Sequence, residues 1–369
     1  MMNRQNQQAG DNSNNLQSKE MTVNILGIDE KRAREVFQEM NLQLKDKYSE
    51  EAMKIAQIRI DEFENRLMPK MEDLEGALEV FADPSFQLLL VEAQKTAAAT
   101  ERPVDYELLS ELLVHRFQKR KNRVARAGIS RAVKIVDEID DDALLGLTVF
   151  HSINSFLPLT GDIFQGLDVL NELFGKVLYG SLPLGRDWLD HLDILDAVRL
   201  SPIGTLKKIE DYYPEQLYGY VDVGIKKNSE NFDRAMSIIE ANKLPKDIII
   251  EHALNPEFVR VPISNRQHIE SLVLTKQLFQ QGFFIPKSIA LSDSQKKAIN
   301  TIYDLYSQDI NIKNENTRLF IEHWDERANL NTLKKWWNSI NIGAEVTSVG
   351  RVLAHSNAQR CDKNLPSLD

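Results

Sequence analysis

Apolar residues recur at intervals of three and four along most of the chain, which is the spacing of one buried face of an α-helix. One such stripe, with steps of 4, 4, 3 and 4, consists of Ala52, Ala56, Ile60, Phe63 and Leu67. We expect this helix to stop at Pro69, because proline lacks a backbone donor. A second helix is expected to start at Asp83-Pro84, with Asp83 as the N-cap and Pro84 in the first turn.

The middle of the chain repeats the helical pattern. Residues 106–134 are predicted to be helical, with Gly128 as a candidate break, and 139–200 to hold two or three helices. Proline and glycine mark loops at 158–161 and 180–183. Together these elements predict a multi-helix domain.

The pattern changes near residue 205, where we place a soft domain boundary. Residues 231–242 are helical in pattern, whereas 248–250 and 258–263 are β-rich and predict a small hairpin. Helices are expected to resume at Arg266. The predicted fold class is therefore mainly α, with a second helical domain that carries a small β-hairpin or winged-helix-like element.

The hydrophobic pattern and the composition together predict three segments in the chain. Residues 1–20 are rich in Asn and Gln and are expected to be disordered, because they offer little apolar surface to bury. Residues 21–205 are predicted to form a helical domain containing a basic helix at 116–134. Residues 206–369 are predicted to form a C-terminal helical domain with minor β structure.

Composition excludes several classes of protein. The chain has 369 residues, a net charge of −10 and one cysteine, Cys361, so it has neither a disulfide framework nor a Cys-rich metal site. No secretory signal is evident, and a cytoplasmic location is expected. The best membrane candidate, 143–161, is uncharged but contains several polar residues and Pro158. A buried core helix is the favoured interpretation, and insertion after a conformational change is the alternative.

One charge anomaly stands out at 116–134, which carries eight positive charges and no acid, so the rest of the chain carries a net charge of −18. On one continuous helix, five of these residues and Ala127 would form a single stripe, while Phe117, Val124, Gly128 and Ala132 would lie on the adjacent side and pack inward. The predicted phosphate-binding residues are Arg116, Lys119, Arg120, Arg123, Arg126, Arg131 and Lys134.

Concentrated like charge is relieved by an anionic partner, and guanidinium groups bind phosphates in a bidentate manner. Phe117 is a candidate for stacking a base. The expected ligand is single-stranded nucleic acid or a nucleotide oligomer. Two alternatives remain open: a solvated face neutralised by the acidic run at 137–142, and a surface for anionic lipid.

No catalytic signature accompanies this segment, so we expect no enzymatic activity and no cofactor. Phosphate-loop, dinucleotide-binding, HExxH and GxSxG motifs are all missing from the sequence. A divalent-metal hydrolase is one alternative, and its candidate cluster is Asp187, Asp190, His191, Asp193 and Asp196. An amphipathic helix with an acidic outer face explains that cluster more simply. A protein–protein scaffold is the other alternative.

Several segments resemble a little-characterised bacterial family encoded in phage-defence loci. The segments are 8–17, 83–87 with 92–95, 108–120, 179–183 with 188–198, 212–217 and 346–354. The resemblance implies a regulated antiviral effector held in check by a partner or a nucleotide ligand. More specifically, the chain resembles the effector that accompanies a nucleotidyltransferase in Hailong-type defence. That likeness implies a homo-oligomeric membrane channel at the inner membrane, controlled by a short single-stranded DNA oligomer.

The segment 347–354 resembles the end of winged-helix domains, in which a glycine, here Gly350, marks a strand-to-helix turn. This resemblance implies either DNA binding or a protein–protein module on the same fold. The second is favoured because no basic cluster accompanies the segment.

Overall fold

The computed structural model describes residues 30–201, 203–280 and 283–368. The chain divides into two units, of which the first ends at Ile58 and the second is Arg59–Asp369. In the first unit, the described residues belong to one helix. The predicted disorder of residues 1–20 lies outside the described residues.

The fold is mainly α-helical, as predicted. The helices are α1 (Glu30–Glu72), α2 (Pro84–Ala99), α3 (Pro103–Gln118), α4 (Arg123–Lys134), α5 (Asp141–Ser155), α6 (Ile163–Val177), α7 (Asp187–Ile194), α8 (Ile209–Gln216), α9 (Tyr218–Val221), α10 (Glu230–Ala241), α11 (Asp293–Tyr303), α12 (Ile310–Asp325), α13 (Ala328–Ser339) and α14 (Ser348–Cys361).

Short antiparallel pairings supply the β structure of the described residues. The strands are β1 (Val198–Ser201), β2 (Ile225–Lys226), β3 (Ile250–Glu251), β4 (Phe258–Arg260), β5 (Val273–Gln280), β6 (Phe283–Ala290) and β7 (Gly343–Val346). β1 pairs with β7, β4 lies between β2 and β3, and β5 pairs with β6. The pairing of β1 with β7 joins residues on both sides of position 205, with Val198 opposite Val346.

The start of α2 is confirmed, but α1 ends later than predicted. Asp83 Oδ1 accepts a hydrogen bond from the Ser85 backbone N–H at 2.7 Å, which caps α2. α1 continues past Pro69 to Glu72. The Pro69 carbonyl still accepts from the Asp73 N–H at 3.1 Å, and Leu67 and Met71 on either side are buried. Packing therefore outweighs the single donor that proline removes.

The prediction of a break at Gly128 is wrong, because the chain turns at residues 119–122 instead. α3 ends at Gln118 and α4 begins at Arg123, with Asn122 Oδ1 accepting from the Ala125 N–H at 3.1 Å. Gly128 lies inside α4, where a Cβ atom would stand 3.2 Å from the Ser348 carbonyl oxygen. The basic segment is therefore two helices joined by a turn, and not one helix.

The hairpin predicted at 248–263 is confirmed by the pairing of β3 with β4. The expectation that helices resume at Arg266 is wrong. A 3₁₀ helix covers Arg266–Ser271, and the β5–β6 hairpin follows with Val273 opposite Ala290. The β-branched and aromatic residues of 273–290 favour strands, and this signal outweighs the weak helical spacing.

Two hydrophobic clusters fill Arg59–Asp369. The smaller cluster joins α10 and α11 with residues of β2 and β4. The larger one unites helices from before and after position 205, and α14 packs against α3, α4 and α5. Every residue of α14 from Val352 to Ala358 is buried, so this helix is an internal element of the core.

Residues 143–155 of the uncharged segment 143–161 lie in a core helix, as the favoured interpretation held, and 156–161 follow as a loop. α5 ends at Ser155, and its residues from Ala143 to Ile153 are all buried. Across the described ranges, none of the helices combines the length and the apolar character that a membrane crossing needs.

Candidate anion-binding site

The turn at 119–122 and the outer face of α4 carry the basic residues, a surface that we call the basic surface. Lys119 and Arg126 are half-buried on it. Its exposed members are Arg120, Lys121, Arg123, Arg131 and Lys134. The apolar face of α4, formed by Gly128, Ile129, Ala132 and Val133, is buried. The single basic stripe predicted for 116–134 is present only in its α4 part.

The prediction that Arg116 belongs to the exposed basic stripe is wrong. Its side chain is in α3 and only 4% of the residue is exposed. Nη2 donates a hydrogen bond to Ser85 Oγ at 2.9 Å, which ties Arg116 to the start of α2. The helix break explains the difference, because Arg116 no longer continues the face of α4.

Phe117 is half-buried, and the Arg120 guanidinium lies over its ring at 5.4 Å from the centroid. A base that stacks on Phe117 must therefore displace or share this cation–π contact. Val124, which the continuous helix placed inward, is 73% exposed.

Few carboxylates of the described residues pair with this charge, although Lys95 and then Lys134 lower the pKa of the Glu92 carboxyl. Within the described residues, the only ion pair of 116–134 joins Arg131 Nη2 to Asp196 Oδ2 at 3.6 Å. In the downstream acidic run, Asp141 pairs with Arg102 at 2.7 Å, and Asp140 caps α5. The acidic run thus forms no ion pair with the basic surface there, which weakens the first alternative.

Arg126 is the residue of the basic surface whose charged side chain is least favourably placed. Its Nε is buried and has no hydrogen-bond partner among the residues that the structure describes. Burial lowers the pKa of Arg116, and the Arg126 charge lowers that pKa further. Two guanidinium groups thus stand close enough to repel, and one of them carries an unsatisfied donor. A bound anion would relieve both costs.

The start of α4 adds to this field. Its first turn contains no acidic residue and includes Arg123 and Arg126. Free N–H groups and the positive end of the helix dipole favour anions at such a terminus. The side chains and the helix therefore favour the same sign of ligand.

The acidic cluster around His191 does not assemble into a metal site. Asp190 pairs with Arg186 at 2.9 Å, and His191 Nε2 accepts from the Asp140 N–H at 3.2 Å. In the part of the chain that the structure describes, no group of three or more His, Cys, Asp or Glu residues could hold a metal ion. The metal-hydrolase alternative therefore has no ligand set in these ranges.

The strand-to-helix turn predicted at the C-terminus is present. β7 ends at Val346, and Thr347 Oγ1 caps α14 by accepting from the Gly350 N–H at 3.2 Å. α14 is buried from Val352 to Ala358 and its exposed residues are Ser348 and Arg351 near its start, so most of this helix could not enter a DNA groove.

A second site, which sequence reasoning missed, lies between α5 and α14. A cavity of about 520 Å³ is lined by His151, Ser155, Arg351 and His355, among others. The two histidine rings are hydrogen-bonded although 204 residues separate them. No local spacing could reveal a contact over that distance.

Comparison with known proteins gives one match. A family model described as ":-like" matches residues 27–366, and the chain belongs to that family. No curated protein matches the chain. No solved structure matches it either.

Proposed function

We propose that the protein is a regulated effector or sensor of bacterial antiviral defence that binds an anionic oligonucleotide on its basic surface. The observation that carries the proposal is the unneutralised charge. Six basic residues of 119–134 have no carboxylate within 4.0 Å among the described residues, namely Lys119, Arg120, Lys121, Arg123, Arg126 and Lys134.

Phosphodiesters fit this surface better than a compact anion does. The cations extend from the 119–122 turn to Lys134 at the end of α4, a length of about 18 Å at 1.5 Å per helical residue. A single-stranded backbone places a charge at every nucleotide and can follow such a row. This binding function needs no reacting group.

The resemblance to phage-defence effectors supports the biological part of the proposal. It suggests a nucleotidyltransferase partner that makes the oligonucleotide, and a homo-oligomer whose symmetry multiplies the basic surface. The assembly would have two arrangements. Ligand binding would favour one of them by the difference between its affinities for the two arrangements. The resemblance to the Hailong effector suggests how the protein would act. It would start in the cytoplasm and form a gated channel at the inner membrane.

The test is binding of a fluorescent single-stranded oligothymidylate, followed by anisotropy at two salt concentrations. For each phosphate contact, the slope of log K against log[salt] should be about −0.7, so four contacts give about −3. Affinity that is weak and unchanged between low and moderate salt would overturn the proposal. Protein purified without nuclease should also carry bound nucleic acid.

Charge reversal supplies the matched comparison. Arg120→Glu with Arg123→Glu should abolish binding and change the melting temperature little, because both side chains are exposed and the fold loses only the contact of Arg120 with Phe117. Lys297→Glu with Lys335→Glu makes the same change in net charge at exposed positions elsewhere. Equal losses in the two double variants would show a general charge effect and contradict a defined site.

A further inference from the structure

The cavity between α5 and α14 contains a continuous hydrogen-bonded relay. Ser155 Oγ lies 3.1 Å from His151 Nδ1, and His151 Nε2 lies 3.2 Å from His355 Nδ1. His355 Nε2 lies 3.0 Å from the Pro366 carbonyl oxygen. The relay therefore runs from a hydroxyl, through two imidazoles, to a backbone carbonyl.

When both imidazoles are neutral, the last member of this chain determines which ring nitrogen of each histidine carries the hydrogen. A carbonyl oxygen can only accept, so His355 Nε2 carries the hydrogen and donates it to Pro366. With His355 neutral, Nδ1 is an acceptor, and His151 Nε2–H donates to it. His151 Nδ1 is then left to accept from the Ser155 hydroxyl, which is the arrangement of a nucleophile, its base and an orienting group.

We propose that this cavity is a serine esterase site, with Ser155 as the nucleophile, His151 as its base and His355 as a positioning residue. The proposal goes beyond oligonucleotide binding and departs from the sequence-based expectation that the protein has no enzymatic activity. It rests on residues that are separate from the basic surface.

The rest of the lining indicates the substrate class. Phe150, Phe156 and Val346 supply an apolar wall, and the charged lining residues are the cation Arg351 and the carboxylate Glu345. Arg351 is exposed and makes no side-chain hydrogen bond or ion pair among the described residues. It lies one helical turn before His355, so it can stabilise the oxyanion of an ester carbonyl. The cavity thus suits carboxylic esters with a small apolar acyl group.

The reaction balances with water as the only co-reactant. Ser155 Oγ attacks the carbonyl carbon while its proton passes to His151 Nδ1, and the leaving alcohol then takes that proton as its C–O bond breaks. Water adds to the acyl-serine with His151 again taking the proton. The bond from Ser155 to the acyl group breaks, which releases the carboxylic acid and restores the hydroxyl.

The burial of His151 determines the rate of ester hydrolysis that we expect. It lowers the pKa of His151 to about 3, with the nearby His355 and Arg351 as further causes. The ring is therefore neutral at pH 7 and able to accept, but its protonated form is costly. We expect slow turnover and a long-lived covalent adduct, so covalent labelling is a more direct test than substrate hydrolysis.

The experiment treats the full-length protein with a fluorophosphonate probe and maps the adduct by peptide mass spectrometry. An adduct on Ser155 is expected, and it should be lost in Ser155→Ala and retained in Ser367→Ala, a second serine of the same cavity. His151→Gln should slow labelling by about 100-fold or more. Failure of the wild-type protein to react at Ser155, while a control serine hydrolase in the same tube reacts, would overturn the proposal.

The role of His355 has its own readout. In His355→Asn, the side-chain amide oxygen can replace Nδ1 as the acceptor for His151, whereas His355→Ala cannot provide one. The labelling rate should therefore fall about tenfold or more in the alanine variant, which is the usual effect of removing a group that orients a histidine. It should recover in the asparagine variant. Equal rates in the two variants would contradict a positioning role. Unchanged oligonucleotide binding by Ser155→Ala would separate this proposal from the basic surface.

Discussion

His151 Nε2 lies 3.2 Å from His355 Nδ1, and this contact joins α5 to α14 inside the larger core. Both residues are almost fully buried, with 4% and 3% of their surface exposed. Burial of this kind disfavours the charged form of an imidazole. The core of this protein therefore depends on pH through its histidines.

The first prediction concerns stability between pH 7 and pH 5. Burial lowers the pKa of His151 to about 3 and that of His252 to about 4, against about 6.5 for an unfolded histidine. Because the unfolded chain binds more protons, the stabilisation is fully present above pH 6.5 and is lost as the pH falls. At pH 5 the loss is roughly 2 kcal/mol for each residue.

Urea unfolding at pH 7 and pH 5 measures this effect, in a range where most carboxylates stay ionised. His252→Gln should reduce the difference between the two pH values by roughly 2 kcal/mol, whatever its effect at pH 7. An unfolding free energy that is equal at both pH values would show that these histidines are not buried in the neutral state.

The second prediction separates the buried arginine from the exposed ones. Arg116→Met should change the affinity for oligothymidylate little, because Arg116 is 4% exposed and bonded to Ser85. Arg123→Met should weaken binding and reduce the salt slope by about one phosphate contact, which is about 0.7. Anisotropy titrations of the two variants, matched in the substituted residue, measure the difference. A stronger loss in Arg116→Met would place the ligand on α3.

The third prediction concerns the turn that divides the basic segment. Asn122→Ala removes the side-chain acceptor from the start of α4 and should cost about 1 kcal/mol of unfolding free energy. Asn122→Ser keeps an acceptor and should cost much less. Denaturant unfolding measures both variants. Equal stabilities would indicate that α3 and α4 are held by packing alone.

The fourth prediction tests the close approach of α14 to Ala197, the residue before β1. A Cβ atom on Gly350 would lie 2.0 Å from the Ala197 carbonyl oxygen, so the backbone must shift. Gly350→Ala should destabilise the fold by about 3 kcal/mol or more, at the upper end of overpacking costs. Gly180→Ala is the control, since its nearest neighbour would be at an ordinary 3.4 Å. Thermal unfolding of the pair provides the comparison.

Local signals in the sequence predicted the helices well. Asp83 and Pro84 define the start of α2, and the apolar spacing defines α5 and α10, because these features depend only on neighbours in the chain. The break at 119–122 was missed because lysine and arginine favour helices, so their run indicates no break. It becomes a turn because the apolar faces of α3 and α4 both pack against α14.

The candidate sites divide in the same way. The basic surface is visible in the sequence because its residues are consecutive, although the burial of Arg116 is not. The relay of Ser155, His151 and His355 depends on a contact between α5 and α14. No sequence pattern encodes that contact, and only tertiary packing brings the two rings together.

The internal position of α14 has a consequence for how the chain is made. Helices α3, α4 and α5 must leave the ribosome well before the helix that covers their apolar faces has been translated. Until then, the nascent protein exposes Ile129 and Val133 beside a strongly cationic surface. Contacts between segments so far apart in sequence form slowly, so expression at low temperature or with chaperones should raise the yield of native protein.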